Sequence, residues 1–191
     1  MNVVSTFLVT LVLAFSFSTG LALTEKEMLE LVKKPHNREG ISEAMKIFPD
    51  ARKIKVLVNI DFPAEAKRKE DPVIASEKVV DGRYLVTQYT LGKEEHKINF
   101  ISITEYSELE AYYIRWVYND KTKDVIKSVG VRLKDTNVIG WSMLPTKDEK
   151  DQIRFSIGTE NYEAKIMKWS ERQFVNGKPV FGLSGTTEVV K

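Results

Sequence analysis

The sequence predicts an all-β protein, a single antiparallel up-and-down barrel of about eight to ten strands with a short N-terminal helix. Two observations carry this prediction. Short runs of alternating apolar and polar residues recur from residue 51 to the end of the chain. The segments between these runs contain turn residues and no helical periodicity. Because closure removes exposed sheet edges, a meander of consecutive hairpins tends to close on itself.

The composition is that of one folded domain with a mixed surface. The chain has 191 residues, of which 42% are hydrophobic and 10% aromatic, and this is enough for a core. The 29 basic and 27 acidic side chains leave a formal charge of +2, so no nucleic-acid partner is predicted. With no cysteine and two histidines, disulfides, thiolate metal sites and multi-histidine metal sites are excluded. We therefore predict no metal and no cofactor.

Residues 1–22 have the pattern of a signal peptide. Residues 7–15 are an apolar core, and the small residues Gly20 and Ala22 precede a cleavage point after Ala22. We expect cleavage there, which gives a secreted or periplasmic protein without a stable membrane anchor. The alternative is an uncleaved anchor, but the apolar run is short for a membrane span and is followed by serine and threonine.

Residues 23–50 form the predicted N-terminal helical segment. Thr24 and Glu27 have the spacing of a capping box, and Pro35 ends the run. Between them, one helical face carries Met28, Leu29, Leu31 and Val32. A weaker helical run covers residues 42–48. We expect this segment to pack against the barrel, and the alternative is a helix that binds a partner protein.

The barrel domain covers residues 51–191, and its clearest element is a hairpin. Asp81 and Gly82 tolerate the positive φ angles of a two-residue turn, and strand-like runs lie on both sides. The charged residues 63–71 are expected to form a helical turn or a loop. The remaining strand-like runs are 54–60, 97–104, 111–118, 125–133, 138–144, 152–157, 164–173 and 180–190.

Alternation also predicts which side chains enter the barrel. In the run 111–118, four apolar or aromatic residues share one face and Arg115 lies on the other, so we expect the arginine-free face to point inward. Together with two tryptophans from later strands, this face predicts an aromatic ligand-binding pocket. Its candidate residues are Tyr112, Ile114, Trp116, Tyr118, Trp141 and Trp169. A filled core made of the same side chains is the alternative.

No catalytic residue is predicted. The segment 182–186, Gly-Leu-Ser-Gly-Thr, lacks the last glycine of a nucleophile elbow and lies within a strand-like run. Close packing of a strand rich in small residues explains it better. If the protein is an enzyme, its candidate basic catalytic side chains are Arg115, Arg132, Arg154 and His96. None of them has an evident partner in the sequence.

Three segments, 76–85, 112–116 and 127–130, resemble the bacterial domain-of-unknown-function family 1579. The shared features are a Gly-Arg-Tyr-Leu hairpin at 82–85, a strand ending in Trp116, and a later strand containing Gly130. Members of that family are lipocalin-like (calycin-type) β-barrels, and the resemblance is to the exported proteins of planctomycete style. The resemblance implies an exported barrel without an established activity.

These observations leave three functions open. The preferred one is a lipocalin-like barrel that binds a small apolar or amphipathic ligand. The first alternative is a protein-interaction or structural module of the envelope with a filled barrel. The second alternative, and the least favoured, is a small hydrolase or isomerase. The sequence makes no prediction about oligomeric state.

Overall fold

The computed structural model describes residues 23–33, 42–48, 51–91, 97–143, 145–147, 152–162 and 166–190. The predicted signal peptide and His96 lie outside these residues. Within the described ranges, no helix has the length and apolar character needed to cross a membrane.

The described part of the chain contains one α-helix, two short 3-10 helices and twelve strands. The helix α1 covers Glu25–Lys33, and short 3-10 helices cover Glu43–Ile47 and Ala64–Ala66. The strands are β1 Arg52–Phe62, β2 Arg68–Lys69, β3 Val73–Val80, β4 Tyr84–Leu91, β5 Ile98–Ser107, β6 Tyr112–Asn119, β7 Val125–Arg132, β8 Val138–Met143, β9 Thr146–Lys147, β10 Ile153–Asn161, β11 Ile166–Val175 and β12 Lys178–Val190. The predicted all-β class with a short N-terminal helix is confirmed.

The ten long strands of the described chain form a closed antiparallel barrel. Their order is β1, β3, β4, β5, β6, β7, β8, β10, β11, β12, and β12 pairs with β1 to complete the ring. The two-residue strands β2 and β9 pair with β1 and β10. Apart from these, sequence neighbours are barrel neighbours, which confirms the predicted up-and-down meander.

The hairpin at Asp81 and Gly82 is one residue longer than predicted. Val80 pairs with Tyr84, so the loop contains three residues, and the Arg83 amide donates a hydrogen bond to the Val80 carbonyl at 3.1 Å. Both turn residues have the expected positive φ, 55° at Asp81 and 63° at Gly82. A short polar residue followed by glycine adopts this backbone at little steric cost.

Helix α1 packs on the outside of the barrel. Its start is the predicted capping box, in which the Thr24 amide donates to Glu27 at 2.7 Å and the Glu27 amide donates to the Thr24 hydroxyl at 3.3 Å. Its apolar face is buried against β4, β5 and β6. This outer cluster consists of Met28, Leu29, Val32, Tyr84, Val86, Ile103 and Tyr118.

The 3-10 helix and its flanking residues close one end of the barrel, and we call residues 42–48 the plug. Met45 and Phe48 are buried against inward-facing side chains of β4, β6 and β8. The ring of Phe48 makes edge-to-face contacts with Tyr113 and Tyr162. The Tyr113 hydroxyl donates a hydrogen bond to the Ala44 carbonyl at 2.9 Å, which attaches the plug to β6.

Candidate functional site

A cavity of about 380 Å³ occupies the half of the barrel away from the plug. It reaches the ends of β4, β8 and β11 at Leu91, Met143 and Val175, and we call this end the mouth. Eight strands contribute to its lining. The inward-facing apolar or aromatic residues are Tyr89, Phe100, Val117, Ile126, Trp141, Trp169 and Leu183, and the inward-facing polar ones are Arg115, Ser128, Arg154, Ser156, Glu160, Glu171 and Gln173.

The inward face of β6 is the one that carries the arginine. Arg115 and Val117 line the cavity, and Tyr113 contacts the plug. The prediction that the arginine-free face points inward is therefore wrong. The four residues of that face, which lie on the outside of the barrel, are Tyr112, Ile114, Trp116 and Tyr118.

Two contacts explain this orientation of β6. On the outside, α1 supplies an apolar cover for Trp116 and Tyr118, and the Tyr118 hydroxyl accepts a hydrogen bond from the Leu23 amide at 3.2 Å. On the inside, a carboxylate compensates the charge of Arg115. The cost of burying a charge falls when the charge is paired and hydrogen-bonded.

The other two predicted pocket residues, Trp141 and Trp169, do line the cavity. Each is accommodated by a glycine on a neighbouring strand. A Cβ atom at Gly130 would lie 2.7 Å from Cε3 of Trp141, and one at Gly185 would lie 2.5 Å from Cζ2 of Trp169. The small residues at 182–186 thus allow β12 to pack closely against its neighbouring strands, as the sequence indicated.

Arg115 and Glu160 form a two-pronged ion pair across the interior. Nη1 of Arg115 donates to Oε1 of Glu160 at 2.7 Å, and Nη2 donates to Oε2 at 2.6 Å. Nε of Arg115 donates to the Thr104 hydroxyl at 3.2 Å. The guanidinium carbon lies 3.8 Å from the ring centroid of Trp141, a cation–π contact. Planar pairing of this kind fixes both side chains.

Two further donors complete the shell of Glu160. Trp141 Nε1 donates to Oε2 at 2.8 Å, and the Tyr162 hydroxyl donates to the same oxygen. Burial alone would raise the pKa of Glu160, but the charge of Arg115 and these hydrogen bonds hold it below its ordinary value. Burial and the adjacent Glu160 charge raise the pKa of the Tyr162 hydroxyl. We call Arg115, Glu160 and Trp141 the floor of the cavity, since they separate it from the plug.

Glu171 is a second carboxyl group that lines the cavity, and its environment differs from that of Glu160. Burial raises its pKa above the ordinary value. Its described hydrogen bond comes from Nε2 of Gln173 at 3.4 Å, which is long. The charge of Glu171 acts on the hydroxyl of Tyr89, whose pKa is raised to about 12 mainly by burial. Glu171 is partly exposed, because its surface borders the cavity.

The sequence contained a signal for Glu171 but only a weak one for Glu160. Trp169, Glu171 and Gln173 alternate along β11, so an inward tryptophan implies an inward carboxyl group. Glu160 follows Gly158 and Ser156 on the inner face of β10, where no bulky apolar residue marks the interior. Its partner Arg115 lies 45 residues away in the sequence.

The other basic candidates lie at the two ends of the barrel. Arg132 donates to the Thr136 carbonyl and to Oδ1 of Asn137, both at 2.6 Å, and so holds the turn between β7 and β8. Arg154 lines the cavity near its mouth. Across the described ranges, no three His, Asp or Glu side chains are grouped so that they could hold a metal ion.

No family model matches the sequence, and no curated protein is significantly similar to it. Conclusions about function therefore depend on the barrel and its cavity.

Proposed function

We propose that this protein is an exported lipocalin-like barrel that binds one small apolar or amphipathic ligand in its interior. The observation that carries the proposal is the cavity of about 380 Å³, whose lining combines aromatic and aliphatic side chains with polar and charged ones. Small-molecule sites are concave, mainly apolar, and commonly enclose about 300–1,000 Å³. Transfer of a ligand's apolar surface from water to such a wall is favourable by about 25 cal/mol per Å².

The two ends of the barrel support the same proposal. The plug and the floor close one end with buried side chains, so a ligand would enter from the mouth. Because the floor is held by an ion pair and two additional hydrogen bonds, its shape is fixed before a ligand arrives. The cavity favours this function over that of a filled barrel acting only through its surface. We propose no reaction.

Binding of a neutral fluorescent dye, N-phenyl-1-naphthylamine, together with native mass spectrometry tests this function. We expect the dye to bind with one equivalent per chain. Val117→Trp, on the inner face of β6, should abolish dye binding by filling the cavity, and the smaller change Ser156→Leu should weaken it. The matched control is Lys168→Trp on the exposed outer face of β11, which should bind like the parent protein. Failure of the folded parent protein to bind dye or any lipid adduct would exclude the proposal.

Export is part of the same proposal. Cleavage after Ala22 would make Leu23 the first residue, and its amide already contacts Tyr118 on the outer wall of the barrel. The described contacts of α1 would remain complete after such a cut. We expect mass spectrometry of the secreted or periplasmic protein to find a chain that starts at Leu23.

We also propose kinship with domain-of-unknown-function family 1579. Two features support it, the barrel and the hairpin at 82–85.

A further inference from the structure

Arg115, the positively charged residue of the cavity floor, already has an anionic partner. Arg115 directs three N–H groups to Glu160 and Thr104, and Glu160 in turn accepts bonds from Arg115, Trp141 and Tyr162. An anionic ligand head would have to displace Glu160 from this shell to reach the guanidinium. Hydrogen bonds between charged groups are among the stronger ones, so such a displacement would be costly.

Glu171 offers the opposite situation. It projects into the same cavity from β11, next to Gly158 of β10. Its hydrogen-bonding neighbours are the neutral side chains of Gln173 and Ser156, and the charges that act on it are those of the paired Arg115 and Glu160. Among the described residues it forms no ion pair. Burial opposes ionisation of this carboxyl group, and Arg115, the cation that partly offsets that effect, is already paired with Glu160.

Aromatic side chains line the same cavity as Glu171. Trp169 lies two residues before it on the inner face of β11. Tyr89 and Phe100 stack with ring centroids 4.9 Å apart and also line the cavity. The faces of aromatic rings attract cations, most strongly where water is excluded. A carboxyl group with aromatic neighbours is the arrangement that recognises an ammonium group.

We propose that the cavity selects a cationic amphiphile, with its protonated amine held by Glu171 beside Trp169 and its alkyl chain against Phe100, Val117 and Ile126. This inference rests on the proposed function, since it specifies the ligand of the same cavity. The amine supplies a cationic partner for the Glu171 carboxyl group inside the cavity. Arg154 near the mouth is the site where an alkyl carboxylate would bind instead, and this is the rival outcome.

Three probes with one tail separate these outcomes: dodecylamine, dodecanol and dodecanoate, each competing with the bound dye at neutral pH below its micellar concentration. We expect dodecylamine to compete about tenfold or more better than the other two, the size expected for a hydrogen bond between charged groups. Glu171→Gln should remove that advantage and leave dodecanol binding unchanged. The control is Glu188→Gln, on the outer face of neighbouring β12, which should keep the preference.

The outcomes distinguish this inference from the proposed function. If neither the dye nor any probe binds the parent protein, the proposed function fails. If the dye and dodecanol bind but dodecylamine competes no better, or dodecanoate competes best, the barrel is a ligand-binding protein and the amine assignment is wrong. The probe comparison in the parent protein decides this even if Glu171→Gln fails to fold.

Discussion

Arg115 on β6 and Glu160 on β10 are joined by two parallel hydrogen bonds of 2.7 and 2.6 Å. These strands are not neighbours, because β7 and β8 lie between them in the barrel. The pair therefore connects two separate parts of the wall through the interior. It also orients Trp141, which stacks on the guanidinium and donates to the carboxylate. One ion pair thus links β6 to β10 and forms the floor of the cavity.

Glu160→Gln should destabilise the protein strongly. The substitution leaves the guanidinium of Arg115 inside the barrel without a counter-charge, and removing one partner of a buried pair typically costs about 3–5 kcal/mol. Urea denaturation followed by circular dichroism measures the change in the free energy of unfolding.

A double variant without the ion pair supplies the control for this substitution. Arg115→Met combined with Glu160→Leu removes both charges and should recover much of the lost stability, because apolar replacements of a buried pair are often neutral. Glu188→Gln on the outer face should change the free energy of unfolding by less than about 0.5 kcal/mol. A near-parental stability for Glu160→Gln would show that the pair contributes little to the free energy of unfolding.

Acid should unfold the barrel partly through Glu160. The folded-state pKa of this carboxyl group lies below the ordinary 4.5. Its stabilising contribution is therefore fully present above 4.5 and is lost as the pH falls through the folded-state pKa. We expect thermal melts between pH 7 and pH 3 to show a steeper acid loss for the parent protein than for Glu160→Gln. Parallel curves for the two proteins would contradict this assignment.

Glu171 should have the opposite effect on pH dependence. Its folded-state pKa is raised, so its contribution to stability is fully present below the ordinary 4.5 and is lost as the pH rises through the folded-state pKa. Glu171→Gln cannot ionise. We therefore expect this variant to gain melting temperature relative to the parent protein at pH 8 and to match it near pH 4. A lower melting temperature than that of the parent protein at pH 8 would mean that the carboxyl group is stabilised in its ionised form.

The sequence predicts the barrel well because each strand carries its own local signal. Alternation places the strands, and turn residues such as Asp81 with Gly82 and Asn176 with Gly177 separate them, with positive φ angles in the structure at all four. Short connections then leave few alternatives to a meander. The capping box of α1 is equally local, and its prediction is also correct.

The inner face of β6 could not be predicted in the same way, because both of its faces are rich in apolar residues. The choice depended on Arg115, whose charge argues for an outer position only if it has no partner. That partner, Glu160, is distant in the sequence, and alternation carries no information about pairing across the barrel. The apolar outer face of β6 depends on α1, whose position on the wall is equally nonlocal.

Gly130→Ala should destabilise the barrel by about 1–3 kcal/mol, the usual cost of overpacking a filled site. The added Cβ would lie 2.7 Å from the indole ring of Trp141 and 2.8 Å from Cγ2 of Ile139. Gly140→Ala on the adjacent strand is the matched control, because its nearest neighbour, the Val131 carbonyl oxygen, is 3.8 Å away. Denaturant midpoints compare the two variants. Equal midpoints would mean that Trp141 moves without cost.

Met28→Ala tests whether α1 belongs to the stable unit of the barrel without taking part in its cavity. Met28 is 1% exposed in the outer cluster, and truncation of a buried methionine costs about 2–5 kcal/mol. Glu30→Ala, on the exposed face of the same helix, should change stability by less than about 0.5 kcal/mol. Because the wall separates α1 from the cavity, dye affinity should stay at the parental value in both variants while the fold persists. Loss of dye binding in a folded Met28→Ala protein would instead indicate that the helix holds β4, β5 and β6 in the curvature that the cavity requires.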